Sequence, residues 1–164
     1  GGIGSASINV KLPDGVSFTI GALAAVNSFG SPFVPGSDKF WAAPFEIGDE
    51  FGGRGFIPQP DPLALPITKT GFSRRDSRAN TTIAVVATDL TLTNAEAQRL
   101  AITAHDGFAR ALVPSHCFMD GDIVFSVATG AKDCSLTPSI QTILGHVGSV
   151  TMARAIARGV YYAS

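Results

Sequence analysis

The sequence predicts a layered α/β fold, and three observations carry that prediction. Residues 82–87 and 123–128 are short runs rich in Val, Ile, Thr and Phe, apolar at nearly every position, as expected of strands buried on both faces. Between them, residues 93–112 repeat apolar side chains at helical spacing, and a second helical region begins at Thr137-Pro138. The order strand, strand, long loop, strand, helix, strand, helix suits sheets covered by helices. The 164 residues fit one domain or part of one. With 45% hydrophobic residues and a mean hydropathy of +0.26, the chain has ample material for a core. Charged residues make up 15%, below the usual ~25%. That deficit implies surface buried against something else, such as other chains.

The elements follow in order. The opening Gly-Gly-Ile-Gly-Ser-Ala-Ser lacks an initiator Met and reads as a glycine-rich turn, so an N-terminal portion is expected to precede it. Residues 7–12 alternate, Pro13-Asp14-Gly15 supplies turn chemistry, and residues 16–26 resume as a strand, which together make a β-hairpin. That strand ends at Asn27, which serves either as an amide donor aimed into a site or as a turn former. Residues 31–80 are irregular, dense in Pro and Gly, with Phe33, Phe40, Trp41, Phe45, Phe51 and Phe56 scattered through them. A loop of this length is unusual in a compact domain, and its aromatics should pack on another subunit or the rim of a cleft. Its tail, residues 73–80, is polar and suited to cutting, including self-cleavage. Thr93 and Glu96 form a capping box for a helix running to about Leu112, which Pro114 ends. In the last helical region Gly145 and Gly148 threaten continuity, so two helices ending near Tyr162 are possible from the pattern.

The chemistry concentrates where residues 73–80 meet the strand at 82–87. Thr81 stands at the first position of a buried strand, just after a cleavable linker. This is the layout of an N-terminal nucleophile, and equally that of an ordinary strand-start threonine. Cleavage at Asn80-Thr81 frees an amine beside a hydroxyl, uniting base and nucleophile in one residue. Asp120 and Asp122 precede the strand at 123–128. In an extended segment they point the same way and compete for ionisation, leaving one able to relay a proton. A solvated Asp-Gly-Asp turn and a metal site are the alternatives, the latter unsupported by ligand spacing.

Other classes find less support. His105, His116 and His146 follow no Ser/His/Asp order, which argues against a histidine triad. No Gly-x-Gly-x-x-Gly or P-loop is present, so no nucleotide or other cofactor is indicated. A net charge of −1 gives no electrostatic case for nucleic acid. No apolar run reaches the ~18–20 residues of a membrane span. Cys117 and Cys134 read as reduced thiols of a cytoplasmic protein.

Four segments occur in the order seen in one known family: the Gly-Gly-Ile-Gly-Ser-Ala-Ser opening, the strand ending in Asn27, the Asn80-Thr81 seam with its strand, and Asp120-Gly121-Asp122 with the strand after it. The chain resembles the P1/S58 peptidases, a family of D-stereospecific and β-peptidyl aminopeptidases that also includes a nylon-oligomer endo-hydrolase. The Asn-Thr seam and the Asp-x-Asp pair are nearest to the hydrolase, since the aminopeptidases carry serine as nucleophile. The resemblance implies a four-layer α-β-β-α sandwich whose N-terminal part, with a tyrosine and a lysine of the site, lies before Gly1. It implies self-cleavage of a single domain into an α chain ending at residue 80 and a β chain of residues 81–164. Thr81 is then the nucleophile, Asn27 with backbone amides stabilises the oxyanion, and Asp120 and Asp122 orient Thr81 and manage its proton. The expected assembly is a homotetramer of cleaved pairs. The expected activity is hydrolysis of internal amides in 6-aminohexanoate oligomers without a cofactor, or aminopeptidase action on N-terminal or β-amino acid residues.

Overall fold

The computed structural model describes residues 1–13, 15–65, 68, 80–134 and 136–163. Four strands form one sheet in the order β1 (Gly2–Lys11), β2 (Ser17–Val26), β3 (Ile83–Leu90) and β4 (Ile123–Lys132). β1–β2 and β2–β3 pair antiparallel, whereas β3–β4 pair parallel. A parallel pair needs a crossover connection, here α1 (Asn94–Ala104) and α2 (Asp106–Ala111). The last helix, α3 (Pro138–Tyr161), lies across β1 and β2 beside α1 and α2.

Strand alternation sorts the sheet into two faces. Ala6, Ile20, Ala22, Ala24, Ala84, Val86 and Val124 are buried beneath the helices with Leu100, Phe108, Met152 and Ile156. The opposite face carries Ile3, Leu23, Ile83, Ile123, Phe125 and Val127, all exposed, with Ile3 at 74% and Phe125 at 54%. The row Leu23, Val85, Phe125 runs in register across three strands. The described residues therefore form two layers, helices over a sheet whose other apolar face is open.

Several expectations change. The opening glycines are strand, not turn. A Cβ at Gly4 would lie 2.2 Å from the Ala155 carbonyl oxygen and 2.2 Å from Gly159 N, so glycine lets β1 press on α3. The helix expected over residues 93–112 breaks at His105, and Gly107 of α2 then sits against Ser149 and Met152 of α3. α3 is one helix of 24 residues. Gly145 and Gly148 fall at its close contacts with Thr103 and Leu100, where packing outweighs their low propensity. The capping box is present, with Glu96 N donating to Thr93 Oγ1 and Thr93 N to the Glu96 carboxylate at 2.8 Å. β3 and β4 both run past their expected ends, to Leu90 and Lys132. Cys117 and Cys134 are not joined in a disulfide.

The aromatic loop packs on this chain itself. Phe40, Ala42 and Phe51 are buried in the core, and the Phe40 ring meets Phe33 tilted at 45° and Phe51 edge to face at 70°. A 3-10 turn at Ala43–Phe45 and the Glu46 carboxylate, which accepts from Phe51 N and Gly53 N, shape the loop. Glu50 clamps it to α3 through Arg154 and Arg158. Of the polar linker at 73–80, Asn80 alone is among the described residues.

Candidate active site

Main-chain bonds hold the seam ahead of β3. Thr81 N donates to Asn27 O at 3.0 Å, Gly121 N to Asn80 O at 2.9 Å and Ile123 N to Thr82 O at 3.0 Å. Asn80 and Asp120 form an isolated parallel bridge that carries the β3–β4 pairing three residues ahead of the first strand pair, Ile83 and Ile123. Residues 80–82 thus lie between the end of β2 and the approach to β4. Asn80 is buried at 2% exposure, and its side-chain amide has no hydrogen-bond partner among the described residues.

Thr81 is half-buried. Its Oγ1 donates to Asn80 O at 2.6 Å, the oxygen of the peptide bond that joins the two residues. Two donors, a hydroxyl and the Gly121 amide, therefore converge on one carbonyl. A Cβ at position 121 would stand 2.9 Å from Thr81 Oγ1 and 3.8 Å from Asn80 O. Gly121 is not among the glycines with positive φ, so space around the hydroxyl, not backbone conformation, calls for glycine here.

The two carboxylates serve different partners. Asp120 accepts from Phe29 N at 2.9 Å and from Cys117 N at 3.2 Å. Asp122 accepts from Thr82 N at 3.0 Å, and its second oxygen lies 2.9 Å from His116 Nδ1. The expectation that both point the same way rested on strand alternation, but β4 begins only at Ile123. Neither carboxylate is hydrogen-bonded to Thr81 Oγ1. They hold the main chain on either side of it, and charge-assisted bonds of this kind are strong and directional.

Asn27 is exposed, and its carbonyl oxygen receives the Thr81 amide. It also lines a cleft of about 270 Å³ together with Gly1, Ser28, Gly30, Phe33 and Thr68. All the residues singled out in the sequence, Asn27, Asn80, Thr81, Asp120 and Asp122, are joined in this one hydrogen-bonded seam.

Three further residues belong to the seam. Gly121 supplies an amide and leaves room. His116, at a positive φ of 52°, stacks on Phe108 and meets the His105 ring edge-on. Five intervening residues separate it from Asp122, so neither helical nor strand spacing signals the pairing. Cys117 carries an amide for Asp120. Burial, followed by the charge of Asp120, its hydrogen bond and the charge of Asp122, pushes the Cys117 thiol up, away from the thiolate a cysteine nucleophile needs. Burial first, and then the charge of His116, pull His105 down against the opposing effect of Asp122 and Asp106.

The comparisons bear on the family and on the sheet. The model of peptidase family S58 matches residues 1–164. An uncharacterized aminopeptidase of Mycobacterium tuberculosis is 37% identical over 170 residues, covering 98% of this chain and 47% of that protein. The 6-aminohexanoate-oligomer endohydrolase of Paenarthrobacter ureafaciens is 30% identical over 99 residues, covering 56% of this chain and 26% of that protein. The L-aminopeptidase D-Ala-esterase/amidase of Ochrobactrum anthropi, described as a variant of the Ntn-hydrolase fold, superposes with a TM-score of 0.55 at 21% identity, covering 96% of this chain and 39% of that one. The chain spans about half or less of the length of these proteins, and its helices over one sheet share the fold of part of that Ntn-hydrolase structure. With the family model matched from end to end and the fold in agreement, the chain belongs to peptidase family S58.

Proposed function

We propose that Thr81 is the nucleophile of an amide hydrolase that first cuts its own chain at Asn80–Thr81. One observation carries the reading: the Thr81 hydroxyl sits 2.6 Å from the Asn80 carbonyl oxygen while the Gly121 amide holds that same oxygen at 2.9 Å. Attack of Oγ1 on the Asn80 carbonyl carbon forms an ester and breaks the Asn80–Thr81 C–N bond. The hydroxyl proton goes to the departing nitrogen, and negative charge gathers on the oxygen facing Gly121 N–H. Water then splits the ester, leaving a carboxylate on Asn80 and a free amine on Thr81. In turnover this amine takes the Thr81 proton, held in place by the Asn27 carbonyl that now accepts from the same nitrogen. Asp120 and Asp122 fix the backbone on both sides, and the cleft beside Asn27 receives the acyl portion of the substrate.

Aminopeptidase action on small N-terminal residues is the first substrate reading, supported by relatives that match nearly the whole chain. Cleavage of internal amides in 6-aminohexanoate oligomers is the second, supported by the shorter match to the endohydrolase. An oligomer with a blocked amino end separates them, because an aminopeptidase leaves it intact. The assembly carried over from the resemblance is a homotetramer of cleaved pairs, which sedimentation checks. The decisive measurement for the nucleophile is intact mass with N-terminal sequencing of the whole protein. A chain beginning at Thr81 is expected, and Thr81→Ala should yield one continuous, inactive polypeptide. A wild-type protein that hydrolyses amides while continuous through residues 80 and 81 removes the proposal.

A further inference from the structure

We propose that His116 is a positioning residue: its Nδ1–H anchors one oxygen of Asp122 so that the other stays on the Thr82 amide and fixes the strand start that presents Thr81. A carboxylate only accepts, so the nitrogen 2.9 Å from Asp122 Oδ2 carries the proton and donates. The Asp122 side chain is 4% exposed, so little water can satisfy it, and without His116 its second oxygen faces burial unpaired. His116 is not hydrogen-bonded to Thr81, so its influence on that residue runs through Asp122.

The ring is itself held in place. Phe108 stacks on it with centroids 5.2 Å apart and an interplanar angle of 28°, and His105 meets it at 4.9 Å and 62°. The backbone adopts φ 52°, a conformation that few residues other than glycine enter and that aims the ring at Asp122. On the far side, Thr82 is clamped twice, its N–H by Asp122 and its carbonyl by Ile123 N. The path from a fixed ring to a fixed amide thus has two links, and it ends one residue from the hydroxyl. A reacting group held this way loses much of its efficiency when displaced by about 1 Å.

The inference rests on the proposed nucleophile only for its consequence, and the first measurement does not need that reading. Hydrogen exchange at the Thr82 amide is followed in the intact protein carrying Thr81→Ala, which keeps the chain continuous. His116→Phe keeps the stack on Phe108 and removes the donor; it should speed exchange about tenfold, in line with loss of a charge-assisted bond. His116→Asn gives up the ring but offers an amide N–H to Asp122, and should stay within about threefold of the parent. Should His116→Phe not fold, His116→Ala serves the same comparison. With Thr81 restored, the appearance of a chain beginning at Thr81 should slow about tenfold in the Phe variant and recover in the Asn variant. Unchanged Thr82 exchange in the Phe variant, or equal acceleration in both at matched melting temperature, overturns the proposal. A protein that never cuts itself but shows the exchange pattern keeps the role of His116 and removes the self-cleaving reading instead.

Discussion

Two carboxylate clusters in this molecule are built from opposite materials. Glu50 meets guanidinium groups: Arg154 binds it with two nitrogens at 2.5 and 2.8 Å, and Arg158 adds a third bond at 3.1 Å. Asp120 and Asp122 meet main-chain amides and one imidazole. Arg154 also donates to Ser7 O, so the Glu50 cluster ties loop, helix and β1 into one rivet. Its charges answer charges, and its output is stability. Among the described residues, the seam cluster contains no arginine or lysine. Its carboxylates grip backbone at residues 29, 82 and 117, and what they fix is the position of the chain around Thr81. Strong opposite charge makes a fastening, whereas amides around a carboxylate make a jig.

That contrast can be broken experimentally. Arg154→Met should have the largest effect on folding, because it leaves Glu50 nearly buried without its two-pronged partner; about 3–5 kcal/mol should be lost in a denaturant melt. The molecules that do fold should make the proposed cut after residue 80 as fast as the parent does, and a parallel fall in cutting would show that the clusters are not separable. Asp122→Ala should lose about 1–3 kcal/mol through the unsatisfied Thr82 amide, yet slow cutting far more than stability alone explains.

A smaller effect concerns acid. Burial raises the Glu50 pKa, but hydrogen bonds from Arg154 and the Ile47 amide, the charge of Arg154 and the bond from Arg158 outweigh it, leaving the group below the ordinary glutamate range. The folded value thus lies under the unfolded one of about 4.3. The Glu50 contribution is complete above that pH and fades as pH falls through the folded value. Glu50→Gln should flatten the acid side of a plot of melting temperature against pH. The smallest effect is expected at Thr93→Ala, which loses the α1 cap and about 1 kcal/mol while leaving cutting unchanged.

Local features were legible in the sequence and contacts were not. The capping box of α1, Pro138 at the start of α3 and the cores of β3 and β4 depend on neighbours within a turn or along a strand, so they could be read directly. β1 begins earlier than its pattern suggests, because Gly2 and Gly4 are selected by α3, more than 130 residues away. The break at His105 likewise answers to Gly107 meeting α3. Phe40 and Phe51 announced that their loop packs, but composition could not say that it packs on its own chain. At the seam, Thr81 stood out because a polar linker gives way abruptly to a β-branched strand. Asp120 and Asp122 stood out as a close pair. His116 shows only once the turn at 113–120, with its cis Val113–Pro114 bond, brings the ring back to Asp122.

The sheet order bears on what a break at residue 80 does to the molecule. β1 and β2 come from before it, β3 and β4 from after it, and β2 pairs with β3 over six positions from Ile20 to Ala25. α3, from the later piece, also lies across both earlier strands. Severing the backbone there leaves two polypeptides interleaved like the fingers of clasped hands. They should migrate as one species through any native separation and come apart only in denaturant, with neither half able to refold into this sheet alone.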